Sequence, residues 1–295
     1  MLFWNEFRVG RVVISAVAVA LLAGGAIGPT VAWAQTSEQG AAVTQERLEA
    51  FLEVTGFDVA LKSIGLSARD APAMLGMQAE DFGADWSRVA DQVFAPEAVN
   101  GMAYEILAQT LTDDLLAHAA GFYASDLGQR LVAVENVSHM VEDDEAQRTE
   151  GAALLAAADP DRRAALDRLV AAIDANSTGV AAVREVQVRF LMAASAAGIL
   201  GNGEGGGFDE ATLRALLAEQ DAELRETMAA NTLNTVAVTY RDISLKDLNA
   251  YSEALETPQM RQVYELMNAI QFEIMANRFE VLAVKMADLH PGQAL

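Results

Sequence analysis

Two stretches of the chain, residues 111–131 and 243–263, share one pattern of a short helix, a corner and a longer helix. Each stretch places hydroxyl residues where helices would begin, and these are Thr112 and Ser125, then Ser244 and Thr257. Ser244 follows Thr112 by 132 residues, and Thr257 follows Ser125 by the same interval. Thr257-Pro258 is the best local signal for a helix start, because proline favours the first helical position. The pattern predicts two related helix corners and an internal duplication.

The remaining sequence also favours helices. Only 6% of the residues are aromatic, proline occurs six times, and the composition is rich in alanine and leucine. Alanine and leucine favour helices, whereas aromatic residues favour strands. We therefore predict an all-α fold, a helical array of two related halves over residues 44–158 and 159–295. The longer helix after Ser125 is expected to run past an acidic segment, residues 142–145, to Ala158. A second long helix is expected from a cap at Asp209 to about Val238.

The N-terminus has the parts of a secretory signal. Arg8 and Arg11 precede an apolar run at 12–28, and Ala32-Trp33-Ala34 places small residues around a peptidase site. An uncleaved anchor is the alternative, but the uninterrupted apolar run is near the short limit of about 17 residues for a membrane span. We predict a signal peptide over 1–34, cleavage between Ala34 and Gln35, and a flexible leader over 35–43. The mature chain is then periplasmic and has no membrane span.

Charge and cysteine content exclude several classes of protein. The formal net charge is −22, with 42 acidic and 20 basic residues, so phosphate backbones and anionic lipid surfaces are repelled. Nucleic acid is therefore not an expected partner. The chain has no cysteine, so packing alone must hold the fold even where disulfides are permitted.

One group of residues has the spacing of a possible metal site. Glu135, His139 and Glu142 fall at i, i+4 and i+7 of a predicted helix, and two carboxylates with an imidazole can chelate a cation. A catalytic zinc site needs a further strong ligand fixed nearby, and the sequence shows none. We therefore interpret this face as a solvated acidic surface. A metal-dependent hydrolase using His139 ranks last among the functional hypotheses.

The other patterns that could indicate a catalytic or cofactor-binding site have simpler interpretations or do not occur. His118 is interpreted as a boundary residue, and Gly201, Gly203 and Gly206 match a dinucleotide fingerprint but follow a helix, so they indicate a flexible linker. No cysteine nucleophile, Gly-x-Ser-x-Gly elbow or Ser-x-x-Lys arrangement occurs. We therefore predict no catalytic, cofactor-binding or metal-binding residues, no cofactor, and a chain that is not an enzyme.

The first corner carries a short motif. Phe122 and Tyr123 are followed by Ser125, Gly128 and Arg130. The expected apolar stripe of the incoming helix is Leu115, Ala119 and Phe122, with Leu116 and Tyr123 beside it. This run resembles a family of exported bacterial proteins catalogued as domain of unknown function 2059, although Asp126 replaces the family's proline. The second stretch keeps Thr257 and Pro258 but lacks the aromatic pair, so the resemblance implies two diverged copies. It also implies a helical, exported protein with no established reaction.

These observations predict a non-enzymatic helical protein of the cell envelope that offers a surface or groove to an unknown partner protein. The alternative is a periplasmic carrier or sensor of a small apolar ligand held between the two halves. Abundant leucine, alanine and methionine are compatible with that alternative.

Overall fold

The fold is built from α-helices throughout the part of the chain that can be described. The computed structural model describes residues 44–174, 178–200 and 209–289, and these contain fourteen α-helices, one 3₁₀ turn and no strand. The all-α prediction is confirmed. The predicted signal peptide, the leader over 35–43 and the glycines of residues 201–206 lie outside the described residues.

The first five helices and the 3₁₀ turn precede the first corner. They are α1 (Gln45–Thr55), α2 (Phe57–Ala68), α3 (Ala71–Met74), the 3₁₀ turn (Ala79–Phe82), α4 (Trp86–Val93) and α5 (Pro96–Thr110). The Thr44 hydroxyl accepts a hydrogen bond from the Arg47 amide and so caps α1. Gly56 separates α1 from α2 at a φ of +69°, where a side chain would be strained.

Four helices follow, from the first corner to the middle of the chain. They are α6 (Asp113–Tyr123), α7 (Asp126–His139), α8 (Asp144–Ala157) and α9 (Pro160–Ile173). The last five helices contain the second corner, and they are α10 (Gly179–Ala196), α11 (Glu210–Ala218), α12 (Asp221–Thr239), α13 (Leu245–Leu255) and α14 (Pro258–Leu289).

Helix α14 is the centre of the molecule. It is 32 residues long and packs against α2, α4, α5, α6, α10 and α13. Three consecutive residues, Ile274, Met275 and Ala276, are buried, and a narrow face that includes Glu265, Ala269 and Glu273 is exposed over the middle turns. A helix that is buried over most of its circumference is typical of a core position rather than of a surface layer.

The apolar core is continuous along the chain. One cluster of buried side chains joins α1 and α2 to α14, and a small second cluster of Val180, Val183 and Met228 lies between α10 and α12. The main cluster includes residues on both sides of position 158. The division into halves at that position stays a prediction, and the core extends across it.

Two long helices that the sequence predicted are each divided in two. After His139 the chain turns, and the Asp143 carboxylate accepts a hydrogen bond from the Ala146 amide to cap α8. Acidic residues favour the start of a helix over its interior, because they meet the positive end of the helix dipole. Glu219 and Gln220 separate α11 from α12, so that α11 packs on α10 while α12 packs on α8 and α9. No turn-forming residue marks this second break, and tertiary packing decides it.

Arg162, in the first turn of α9, holds the end of α12. Its guanidinium donates to the carbonyl oxygens of Tyr240 at 2.7 Å, Ile243 at 3.0 Å and Arg241 at 3.1 Å. These carbonyls follow the last turn of a helix, where the partial charge is negative and no intrahelical donor remains. A single cation thereby fixes the turn that leads into the second corner.

We expect Arg162→Ala to lower the free energy of unfolding by about 2 kcal/mol, because three charge-assisted hydrogen bonds are lost. Chemical denaturation measures this loss. Arg163→Ala is the matched control, since Arg163 only pairs with Asp167 on the surface of the same helix and such pairs contribute about 0 to 1 kcal/mol. Equal losses in the two variants would contradict the role given to Arg162.

None of the helices in the described ranges has both the length and the apolar character that crossing a lipid bilayer requires.

Candidate functional site

The two predicted corners are present, and their caps have the same geometry. The Thr112 and Ser125 hydroxyls accept hydrogen bonds from the amides of Leu115 and Gly128, and those of Ser244 and Thr257 accept from Asp247 and Met260. The helices α6 and α13 correspond residue for residue at the interval of 132, from Asp113–Tyr123 to Leu245–Leu255. The four predicted caps are confirmed. Common ancestry of the two corners stays a prediction.

Gly128 explains why the motif at the first corner contains a glycine. A β-carbon at Gly128 would lie 2.5 Å from the Cα of Tyr123 and closer still to the Phe122 carbonyl oxygen. Real β-carbon contacts do not occur at such distances, so α7 can approach the end of α6 only without a side chain here. The second corner has Met260 at this position, buried in the core, so the two corners are packed differently.

The buried stripe of α6 is shifted by one residue from the predicted one. Leu116, Ala119 and Tyr123 are the buried residues of the helix, whereas Leu115 and Phe122 are half-buried. Of the aromatic pair in the motif, Tyr123 is therefore the core residue. Phe122 instead stacks on Tyr251 of α13, with ring centroids 5.9 Å apart and planes 7° apart.

Direct contacts hold the two corners against each other. His118 of α6 is exposed, and its Nε2 lies 3.3 Å from the hydroxyl of Thr257, the cap of α14. Because that hydroxyl proton is donated to the Ala254 carbonyl, the imidazole must be the donor. On the other side, Arg130 of α7 pairs with Asp247 of α13 at 2.9 Å. The hydrogen bond from Arg130 lowers the pKa of Asp247.

A buried polar group lies where the corners meet, and we call it the tyrosine–glutamate cluster. Its members come from five places in the fold and are Tyr123 (α6), Glu135 (α7), Tyr240 (the end of α12), Tyr251 (α13) and Tyr264 (α14). Each exposes 3% of its surface or less. The chain has five tyrosines, so four of them are in this cluster.

The hydroxyls of the tyrosine–glutamate cluster converge on the carboxylate. Tyr240 donates to Glu135 Oε1 at 2.6 Å, and Tyr251 donates to the same oxygen at 2.8 Å. The Tyr251 hydroxyl lies 2.6 Å from that of Tyr264, which in turn lies 2.5 Å from that of Tyr123. This arrangement satisfies polar groups that would otherwise be costly to bury.

Burial dominates the electrostatics of the cluster. It raises the pKa of Glu135, and the two phenol donors offset part of this rise because they stabilise the ionised form. Burial and the nearby charge of Glu135 also raise the pKa of Tyr251 well above its usual value of 10.0. The phenols are thus neutral throughout the physiological range, and Glu135 is the titrating centre of the cluster.

The interpretation of Glu135, His139 and Glu142 as a solvated acidic face is wrong. Glu135 and His139 are 2% and 4% exposed and belong to the inward face of α7, while Glu142 lies in the turn after that helix. Burial lowers the pKa of His139 from 6.5 to about 3, so this imidazole is neutral in the folded protein. The described residues contain no group of three or more potential ligands placed to hold a metal ion.

A second polar contact continues along α7. The Thr239 hydroxyl lies 2.7 Å from the Ser138 hydroxyl, and the Gln147 amide donates to Ser138 at 3.1 Å. These three buried side chains join α7, α12 and α8. Together with the tyrosine–glutamate cluster they form a polar seam through the centre of the helical array.

One pocket opens beside the cluster, between α9 and α14. Tyr264 and Asn268 line it on one side and Ile173 on the other, and its volume is about 20 Å³. That space suits roughly one water molecule. It offers no room for an apolar ligand.

Sequence reasoning missed most of the cluster. Tyr240, Tyr251 and Tyr264 each lie on a helix face that reads as apolar, so periodicity places them in the core without indicating that their hydroxyls meet. A signal did exist, because nearly every tyrosine of an aromatic-poor chain falls within or beside the two corner stretches. Arg162 and Gln147 carried no comparable signal.

The architecture defines an all-α protein in which two helix corners pack around a buried tyrosine–glutamate cluster. Residues 97–156 match the model of a family described as an uncharacterized protein conserved in bacteria, DUF2059. The match spans α5 to α8 and includes the motif of the first corner, so the resemblance is confirmed for this segment. Residues 243–263 lie outside it, and the existence of two diverged copies stays a prediction. No curated protein and no solved structure matches the chain.

Proposed function

We propose that this chain is a non-enzymatic helical protein of the bacterial cell envelope, located in the periplasm, which offers its folded surface to a protein partner. The observation that carries the proposal is that each distinctive residue of the matched motif has a structural role. Tyr123 joins the tyrosine–glutamate cluster, Ser125 caps α7, Gly128 permits close packing, and Arg130 pairs with Asp247. The motif thus specifies an architecture, and a surface built on that architecture is what a partner would bind.

Charge indicates the chemistry of the partner. The net charge of −22 favours association with a basic protein and speeds its encounter. Several of the arginines are already engaged with carboxylates of neighbouring helices, as Arg168 is with Glu256 and Arg189 is with Glu273 and Glu280. The excess acidic groups are therefore those available to a partner.

Affinity capture from an envelope extract tests the proposal, with the tagged full chain as bait at several salt concentrations. We expect a saturable partner whose recovery falls as salt rises, because screening weakens contacts between exposed charges. The control bait is Gly128→Ala, which keeps the net charge but disrupts the first corner. Recovery of nothing at any salt concentration, or equal recovery by both baits, would contradict the proposal.

The carrier hypothesis remains the alternative. The pocket beside Tyr264 gives it no support, since about one water molecule fills it. Native mass spectrometry of gently purified protein distinguishes the two, because a co-purified apolar molecule would favour a carrier.

A further inference from the structure

The hydrogen bonds of the tyrosine–glutamate cluster have one direction when Glu135 is ionised. Each phenol has a single hydroxyl proton to donate, and Tyr240 and Tyr251 both donate theirs to Glu135 Oε1. The 2.6 Å contact between Tyr251 and Tyr264 must then be donated by Tyr264, and the 2.5 Å contact beyond it by Tyr123. All four protons therefore point along a path that ends at one carboxylate.

That carboxylate connects parts of the chain that are distant in sequence. Glu135 belongs to α7, within the family match, whereas its two donors follow or lie beyond α12, outside the match. Tyr264 extends the path to the central helix α14. The ionisation state of Glu135 thus acts directly on the contact between the first corner and the helices α12 to α14.

The hydrogen-bond partners of Glu135 carry no positive charge. They are the phenols of Tyr240, at the end of α12, and of Tyr251 on α13, and the neighbouring side chain on α6 is also a phenol, that of Tyr123. On its own helix His139 is neutral. Helices α1 and α2 also pack on α7, and none of their buried residues is charged. Neutral donors alone offset only part of the cost of burying a carboxylate.

We infer that the tyrosine–glutamate cluster is a pH-sensitive latch, in which protonation of Glu135 tightens the first corner against α12, α13 and α14 and ionisation loosens it. The carboxyl group has a pKa near 4.5 in the unfolded chain and a higher one in the fold. Its contribution to stability is therefore fully present below about pH 4.5 and is lost as pH rises through the folded-state pKa. The contact is therefore tight at acidic pH and looser at higher pH.

The test compares the full chain with Glu135→Gln, a neutral side chain of the same shape, by denaturant unfolding from pH 4 to pH 9. We expect the unfolding equilibrium constant of the natural chain, relative to that of the variant, to increase with pH by up to about tenfold per unit between the two pKa values. His139 changes stability in the opposite direction as pH falls from 6.5 toward 3, but it contributes equally to both chains. A ratio that is independent of pH, or one that falls as pH rises, would overturn the inference.

Hydrogen exchange locates the effect. After correction for intrinsic exchange rates, peptides of α6, α7 and α13 should exchange faster in the natural chain than in Glu135→Gln at high pH. At low pH the same peptides should exchange at equal rates in the two chains. Peptides of α10 and α11 are the internal control and should not differ. Uniform change across all helices would show a general loss of stability and would overturn the latch.

A second variant covers the case in which Glu135→Gln does not fold. Tyr240→Phe removes one donor to the ionised carboxylate and must therefore raise the pKa of Glu135 in the fold. The pH-dependent window of unfolding then extends to higher pH, while its lower limit near the unfolded-state pKa does not change. An upper limit that does not rise in Tyr240→Phe would contradict Glu135 as the titrating group.

Discussion

Gly128→Ala is expected to lower the free energy of unfolding by about 3 kcal/mol or more, because the added methyl group meets backbone rather than a movable side chain. The Cα of Tyr123 would lie 2.5 Å from the new carbon, so α7 must move away from α6. That movement also displaces Glu135 from its phenol donors. A fall in the melting temperature of roughly 6 to 12 °C corresponds to this loss.

Gly121→Ala is the matched control for this experiment. Gly121 lies on the exposed side of α6, seven residues earlier, and a β-carbon there meets nothing within 4 Å. Alanine favours a helix over glycine by up to about 1 kcal/mol, so this variant should be as stable as the natural chain or slightly more so. If both variants lost stability alike, close packing at the first corner would not be the cause.

The second large effect is expected for Tyr251→Phe, which removes one oxygen atom from the centre of the tyrosine–glutamate cluster. Glu135 loses a donor and Tyr264 loses its acceptor, and both remain buried. Leaving such groups unpaired should lower the free energy of unfolding by about 2 to 3 kcal/mol, as measured by chemical denaturation.

Tyr104→Phe makes the same chemical change outside the cluster. Tyr104 is the tyrosine outside the cluster and is half-buried on α5. Loss of its hydroxyl should leave the free energy of unfolding within about 0.5 kcal/mol of that of the natural chain. A loss in Tyr251→Phe no larger than that in Tyr104→Phe would show that the buried hydrogen bonds contribute nothing to stability.

Local chemistry made the corners predictable. A hydroxyl cap, a proline or acid in the first turn, and a glycine at a crossing act within one turn of the chain, so Thr112, Ser125, Ser244 and Thr257 could each be placed from neighbouring residues. The two helix breaks that the sequence missed have different reasons. At Asp143 the cap lies within the acidic segment, where the sequence pattern predicts one continuous helix. At Glu219 nothing local ends the helix.

The cluster could not be derived in the same way. Its five residues are spread over more than half of the described chain, and hydrogen bonds between side chains leave no periodic trace in a sequence. The spacing of Glu135, His139 and Glu142 predicts an exposed face, because carboxylates are seldom buried unless they are paired. Its partners are phenols, which a search for cations or metal ligands does not consider.

The position of α14 in the chain has a consequence for folding. This helix follows every helix that it packs against. Residues 258–289 must therefore be present before the apolar faces of five earlier helices are covered, namely α2, α4, α5, α6 and α10. Assembly therefore depends on contacts between distant residues, which slow folding relative to a simple bundle of neighbouring helices. The five earlier helices therefore reach their final packing together, in one late step that begins only when α14 has been synthesised.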